Sequence, residues 1–469
     1  MRNRTKATGT AGTAKKRTWT PPPTPYGGLV ALKTAGGATR LVPAQTAPHL
    51  LVSGPTGVGK SRRVLGPGIL MWGGPVVAVS SKPDLIELCL TGRHERPGAR
   101  TYVLDLSGEV PDDDLPADVQ KVVVDPVALI TCDDDAIDLA TILQQSGAAG
   151  AGGGTGGKSG DAFWENISTA PLAALLRAAG GDGIAWAREA VSRIEPTDED
   201  DRDQPSWLNA VGRLEEMGSH MLAAELRSAG ELDGKMRDSI AVTMKSAVAP
   251  WLRSTVVGRG TEIVFTPSLL EHPAATLFVV APATGVAAGA AVACIDTISK
   301  RWRANQTEKV KLPRLLMVVD ELANTMPWPK LPTVVTESRA MGIHLLVAVQ
   351  ATSQLAKRYG KEGMDELREV FPATLLLVGA PEKEMLEQAA WWAGQAERQK
   401  VSVDSIGRQT QSSERADVIT ASDLLPRSID EGRLLRGRRP GDHSPAVTEG
   451  GLRVTLQDIS KMNFRISQR

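Results

Sequence analysis

The sequence predicts an α/β fold built on a mostly parallel sheet, with an all-helical domain inserted into it. Two observations carry this. The first is a series of short apolar runs separated by helical stretches: HLLVSG (49–54), PVVAVSS (75–81), TYVLDLS (101–107), KVVVDP (121–126), TLFVVAP (276–282), LLMVVDE (315–321), HLLVAVQ (344–350) and TLLLVG (374–379). Each is continuously hydrophobic rather than alternating, as strands buried on both faces of a parallel sheet are, and their interleaving with helices is the α/β signature. The second is a break in that series between about 146 and 255. There a Gly-rich run, SGAAGAGGGTGGKSG (146–160), leads into FWENISTAPLAALLRAA, IAWAREAVSRI, SWLNAVGRLEEMGSHMLAAELRSA and MRDSIAVTMKSAVAPWL, all helix-like. The acidic run EPTDEDDRD (195–203) between two of them reads as a solvated loop, and the α/β pattern resumes near Thr261.

Taken in order, residues 1–24 hold six basic side chains (Arg2, Arg4, Lys6, Lys15, Lys16, Arg17) and no acid, and read as a disordered basic arm. Residues 25–147 form the first part of the α/β domain, 148–255 the helical insertion, 256–440 the second part and 441–469 a tail; everything after Gly394 reads as polar and irregular. The uncharged stretch Ala274 to Ile295 has the length of a membrane span. Pro282 and Gly285 interrupt it, so it reads as a buried strand followed by a small-residue helix. No secretory signal is visible, and the expected location is the cytoplasm. Lys+Arg and Asp+Glu both number 54, which excludes binding of nucleic acid through bulk positive charge but leaves room for a local basic channel. Cys89, Cys132 and Cys294 are far apart and form neither a disulfide framework nor zinc-site spacing. A chain of 469 residues holds about two or three domains.

The chemistry is concentrated at strand ends. Gly54-Pro55-Thr56-Gly57-Val58-Gly59-Lys60-Ser61 follows the strand HLLVS and matches the phosphate-loop pattern. Its glycines let backbone N–H groups curl around a phosphate, Lys60 reaches the β/γ oxygens, and the Ser61 hydroxyl ligates Mg²⁺. The same pattern recurs at Gly152–Ser159 (GGGTGGKS), but inside the Gly-rich run with no strand before it, and is read as a coincidence of composition. The strand LLMVV ends in Asp320 and Glu321, the acid pair that a nucleotide-hydrolysing site places opposite the phosphate loop. Asp320 would hold the metal and Glu321 would orient and deprotonate the attacking water. Gln350 ends HLLVAVQ, where an amide would sense the γ-phosphate if that strand neighbours the other two. Arg339, in the helix TVVTESRAMG, is placed to act as a finger on a neighbouring subunit's nucleotide. The cofactors expected are ATP and Mg²⁺.

On these residues the chain resembles the coupling proteins of conjugative type IV secretion (TraG/TraD-like), within the FtsK/HerA group of RecA-like P-loop DNA motors. The resemblance spans most of 40–440. It runs through GPTGVGKS, PVVAVSSKPDL, the Trp-containing helix FWENIS, LLMVVDE, ESRAMGIHLLVAVQATSQLAKRYG and TLLLVGAPEKEMLEQAA. It implies a RecA-like P-loop NTPase core and a homo-hexameric ring. In such a ring Arg339 would be the arginine finger and Gln350 the sensor. It also implies sequence-independent binding of DNA, with single strands favoured, and delivery of relaxase-bound DNA to type IV secretion components at the inner face of the membrane. Two departures stand out. Ser81-Lys82-Pro83-Asp84 keeps a Lys and an acid but not the family's D-P-K-G order, and the family's N-terminal membrane helices have no counterpart among these residues. Readings left open are an FtsK-type double-stranded DNA pump, a protein-secretion ATPase of the same superfamily, and a scaffold that binds nucleotide without turnover.

Overall fold

The computed structural model describes residues 17–19, 22–33, 37–150, 159–198, 200–282, 287–304, 307, 311–403, 409–436, 451–462 and 464–466. Its strands are β1 (Arg17–Trp19), β2 (Leu29–Lys33), β3 (Thr39–Pro43), β4 (His49–Ser53), β5 (Val76–Ser80), β6 (Arg100–Asp105), β7 (Gln120–Val123), β8 (Ile263–Val264), β9 (Ala275–Val280), β10 (Leu315–Val319), β11 (Ile343–Val349), β12 (Ala373–Leu377), β13 (Gln395–Val403), β14 (Gln409–Asp417), β15 (Glu431–Arg436), β16 (Leu452–Thr455) and β17 (Phe464–Ile466). The helices are α1 (Gly66–Met71), α2 (Asp84–His94), α3 (Asp133–Gly150), α4 (Ser159–Ala179), α5 (Gly183–Ala190), α6 (Trp207–Glu216), α7 (His220–Gly230), α8 (Gly234–Val248), α9 (Ser254–Val257), α10 (Ala288–Ala304), α11 (Leu322–Thr325), α12 (Leu331–Met341), α13 (Ala356–Val370) and α14 (Lys383–Ala393).

Among the described residues thirteen strands form one sheet, in the order β3-β2-β16-β15-β12-β4-β11-β10-β5-β9-β6-β7-β8. From β12 to β8 every neighbour is parallel, and from β12 outward through β15, β16, β2 and β3 every neighbour is antiparallel. Alternation along the central strands feeds two separate cores. Leu315, Met317 and Val319 of β10 enter the cluster beneath the helical layer, while Leu316 and Val318 enter the one beneath α1 and α2. Both faces being covered, these strands read as unbroken apolar runs.

The helical layer lies between β7 and β8 in the chain. Capping sets several of its starts: Ser206 accepts the Asn209 N–H ahead of α6, and Asp233 accepts from Lys235 and Met236 ahead of α8. Leu172, Leu176, Trp186, Trp207, Leu214, Leu222 and Leu226 are buried within it. The uncharged stretch is β9 followed by α10, and among the described residues no helix is long and apolar enough to cross a membrane.

Three expectations are corrected. The Gly-rich run does not begin as a linker, because α3 continues through Gly150. A Cβ on Gly147 would come 3.2 Å from Ser246 O of α8, so the small residues permit close helix packing. Of the second phosphate-loop match, 152–158 lies outside the described residues and Ser159 opens α4. The stretch after Gly394 is not irregular. β13 and β14 pair over nine residues each, and β15 and β16 extend the main sheet. Charged or polar residues break up the apolar ones in these strands, so a search for continuous apolar runs passes over them. Last, part of the N-terminal arm is strand: β1 pairs in parallel with β17, so residues 17–19 lie beside residues 464–466. Residues 1–16 lie outside the described residues.

Candidate nucleotide site

The site residues come from the carboxyl ends of β4, β11, β10 and β5, which are consecutive in the sheet. Such an edge is where open parallel sheets place their ligands. From β4 the chain turns through Gly54–Ser61 with Gly57 and Gly59 at φ 85° and 89°, values that favour glycine. A Cβ on Gly54 would stand 2.8 Å from Cβ of Leu377, which fixes that position as glycine by close approach. The helix beyond opens with a π-helical turn, Ser61–Leu65, in which the Gly66 N–H reaches Ser61 O. Pro67 lacks the N–H that would bond Arg63 O, so the ordinary ladder cannot start there.

Lys60 is buried and folds over its own loop, donating from Nζ to Gly54 O (2.8 Å) and Pro55 O (3.1 Å). Burial lowers its pKa, and the nearby Asp320 and Glu321 carboxylates oppose that shift. The Ser61 hydroxyl donates to Asp320 Oδ2 at 2.9 Å. Asp320 is itself buried, and its Oδ1 has no hydrogen-bond partner among the described residues. Burial first, then the charge of Asp84, pushes its carboxyl up to about 6, against the opposing effects of the Ser61 hydrogen bond and Lys60. A buried carboxylate oxygen without a donor, beside a hydroxyl oxygen, supplies hard-oxygen ligands that fit Mg²⁺.

Glu321 has φ 52° and ψ 52°, the single non-glycine residue at positive φ among the described residues. That turn lifts its side chain away from the line of β10 and into contact with the next strand: Gln350 Nε2 donates to Glu321 Oε1 at 2.9 Å. Since β11 lies between β4 and β10, Gln350 stands between the phosphate loop and the acid pair.

Arg339 is exposed near the end of α12, three residues before Gly342 turns the chain into β11. It therefore sits at the amino edge of the sheet, and its charge is felt by His49 and His344 at the starts of β4 and β11. The seven residues of β11 put roughly 23 Å between that edge and Gln350. Arg339 cannot reach the phosphate loop of its own subunit.

Two groups escaped the sequence reading. Asp84, in the departing S-K-P-D segment, accepts from Ser80 Oγ (2.7 Å) at the end of β5 and acts electrostatically on Asp320, whereas Lys82 is exposed. Glu382 is a buried carboxylate beyond the end of β12, bonded to Ser53 and Thr352. Both follow carboxyl ends of parallel strands, the signal that would have found them.

With the geometry in hand, likeness to known proteins can be stated. Residues 314–428 match the family model described as the TraM recognition site of TraD and TraG. That segment includes the acid pair, Arg339, Gln350 and Glu382. Structures of the bacterial conjugative coupling protein TrwBdeltaN70 share the fold of this chain. The unbound monoclinic form matches with a TM-score of 0.58 at 19% identity over 89% of this chain and 86% of that one. The trigonal form with sulphate matches at 0.57 and 19%, covering 87% and 85%. The plasmid coupling protein TrwB in complex with ADP and Mg²⁺ matches at 0.54 and 19%, covering 88% and 85%. No curated protein sequence matches the chain. The fold is a RecA-like P-loop core with an inserted all-α domain.

Proposed function

We propose that this chain is an ATP-driven DNA translocase, a coupling protein that delivers relaxase-bound DNA to a type IV secretion channel in conjugative transfer. The observation that carries the reading is the unpartnered Oδ1 of buried Asp320, held by Ser61 at the mouth of a phosphate loop whose lysine turns inward. A buried, incompletely satisfied carboxylate is costly unless a ligand completes it.

Gly54, Pro55, Thr56, Gly57, Val58, Gly59, Lys60 and Ser61 form the turn that would cradle the phosphates through its backbone N–H groups, Pro55 having none to offer. Lys60 would exchange its bonds to the Gly54 and Pro55 carbonyls for the β/γ oxygens of ATP. Ser61 and Asp320 would hold Mg²⁺, which when bound offsets charge on the β- and γ-phosphates. Glu321 would orient the attacking water and take its proton, and the bond from the γ-phosphorus to the bridging oxygen would break to release ADP and phosphate. Gln350, already bonded to Glu321, would register the γ-phosphate and, on its loss, return to the carboxylate. Arg339 would act across the interface of a homo-hexamer, since its own site is out of reach. DNA would be held by its backbone without sequence preference, single strands favoured, with strong salt dependence. The expected location is the cytoplasm, at the inner face of the membrane through partners.

Steady-state ATP turnover with no DNA, single-stranded DNA and duplex DNA at two salt concentrations tests this, with Glu321→Gln as the blank. Salt-sensitive stimulation by DNA that the variant lacks is the expected result. Turnover indifferent to DNA would contradict DNA movement and favour a protein-secretion ATPase.

A further inference from the structure

The buried polar groups of the carboxyl edge extend beyond the residues that would meet nucleotide. Glu382 lies in the V-G-A-P-E turn leaving β12, and its side chain is 1% exposed. Its Oε1 accepts from Ser53 Oγ at 2.7 Å and from the Thr352 N–H at 2.7 Å. Its Oε2 accepts from Thr352 Oγ1 at 2.6 Å and, at 3.4 Å, from Arg368 Nη2. Arg368 also donates from Nε to Thr352 Oγ1 (2.8 Å) and from Nη1 to the exposed Glu384 (2.8 Å).

The positions of these partners give the cluster its meaning. Ser53 is the last residue of β4, directly before Gly54, so it is the root of the phosphate loop. Thr352 is two residues beyond Gln350, which holds Glu321. Arg368 is on α13, and Glu384 is in the first turn of α14. The same turn also touches the loop directly: a Cβ on Gly379 would be 3.3 Å from Cγ of Pro55, and Gly54 is packed against Leu377. One carboxylate thus joins the ends of three adjacent strands to a helix that reaches the surface. Charge-assisted bonds in a buried cluster are strong and geometrically exacting, and removing one member leaves the others unsatisfied.

We propose that Glu382 is a positioning residue that locks the root of the phosphate loop to the sensor strand and, through Arg368, passes nucleotide state to α13 and α14. This rests on the nucleotide-site reading above. Glu382→Gln keeps volume and one acceptor oxygen but turns an N–H₂ toward the guanidinium of Arg368, which has no lone pair to receive it.

Wild-type and Glu382→Gln chains are compared by binding of Mg²⁺-AMPPNP and Mg²⁺-ADP, by ATP turnover, and by hydrogen exchange of residues 350–370 with each nucleotide bound. The expected result is affinity within ~3-fold of wild type, turnover lowered by ~10-fold or more, and loss of the AMPPNP-versus-ADP difference in exchange that wild type displays. Thr352→Val should reproduce the loss and Thr352→Ser should restore it, which keeps the test decisive if Glu382→Gln does not fold. Variants that distinguish the nucleotides as wild type does would overturn this inference alone. A loss of affinity and turnover in step with a loss of folding stability would do the same. Wild type that binds neither nucleotide would overturn the site reading, and this inference with it.

Discussion

The two edges of the central sheet bury polar groups in opposite ways. At the amino edge Arg93 is wholly buried with no carboxylate nearby, yet its guanidinium makes four hydrogen bonds, all to uncharged oxygens. It donates to Thr276 Oγ1 and to the carbonyls of Trp72, Gly74 and Ala275, while Arg96 takes the carbonyls of Leu70 and Trp72. His344 is held between Pro48 O and Arg314. Neither ring nitrogen of His49 has a partner among the described residues. Burial, then Arg339, lowers the His49 pKa to about 4, so it packs as a neutral ring. At the carboxyl edge Glu382 is likewise satisfied, but the two groups beside the phosphate loop stay poised for charge: Asp320 keeps a bare oxygen and Lys60 borrows carbonyls from its own loop. Burial therefore does not mark a site. Incomplete satisfaction of groups that want a charged ligand does.

The contrast is broken most severely at Lys60. Lys60→Ala should abolish ATP turnover, whereas Lys158→Ala, in the second sequence match, should leave it nearly unchanged; equal losses in a turnover assay would mean that the wrong loop was chosen. If Arg339 acts across a subunit interface as proposed, Arg339→Ala should suppress turnover while Mg²⁺-AMPPNP binding persists. Wild-type turnover in that variant would remove the finger.

Stability separates the edges with opposite signs. Arg93→Met should destabilise by about 3 kcal/mol in urea unfolding, since it strands several acceptors, and should leave nucleotide affinity alone. Asp320→Asn should do the reverse. The Asp320 carboxyl, held up at about 6 mainly by burial, binds its proton more tightly in the folded chain than in the unfolded one, where the ordinary value is 3.8. Its stabilising contribution is present below about pH 4 and is lost as pH rises through about 6, a change of about 3 kcal/mol for a two-unit shift. In EDTA at pH 7.5, Asp320→Asn should therefore melt higher than wild type and lack this pH dependence. The smallest effect belongs to Arg62, half exposed, which pairs with Asp458 through two bonds of 2.8 and 2.9 Å. Arg62→Ala should cost under about 1 kcal/mol in the same unfolding measurement.

How much of this was readable in the sequence follows from the same physics. The central strands were legible because burial on both faces leaves no polar residue in them. The phosphate-loop pattern, the Asp320–Glu321 pair and Gln350 could be picked out as candidates because each directly follows an apolar strand. β15 and β16 were not, since Glu431, Arg433, Arg436 and Arg453 interrupt their apolar residues and drop them below an apolar-run search. Their attachment depends on long-range pairs such as Arg63 with Asp430, 367 residues apart in the chain. The position of Glu382 just after β12 was a signal in the sequence, but its partners Ser53 and Thr352 come together only once β4, β11 and β12 are adjacent.

The central claim is that the bare oxygen of Asp320 awaits a metal shared with nucleotide. Binding of a fluorescent ATP analogue to wild type and Asp320→Asn, with Mg²⁺ and with EDTA, tests it most directly. The account predicts that Mg²⁺ tightens binding by ~10-fold or more in wild type and has little effect in the variant. Equal tightening in both would contradict it.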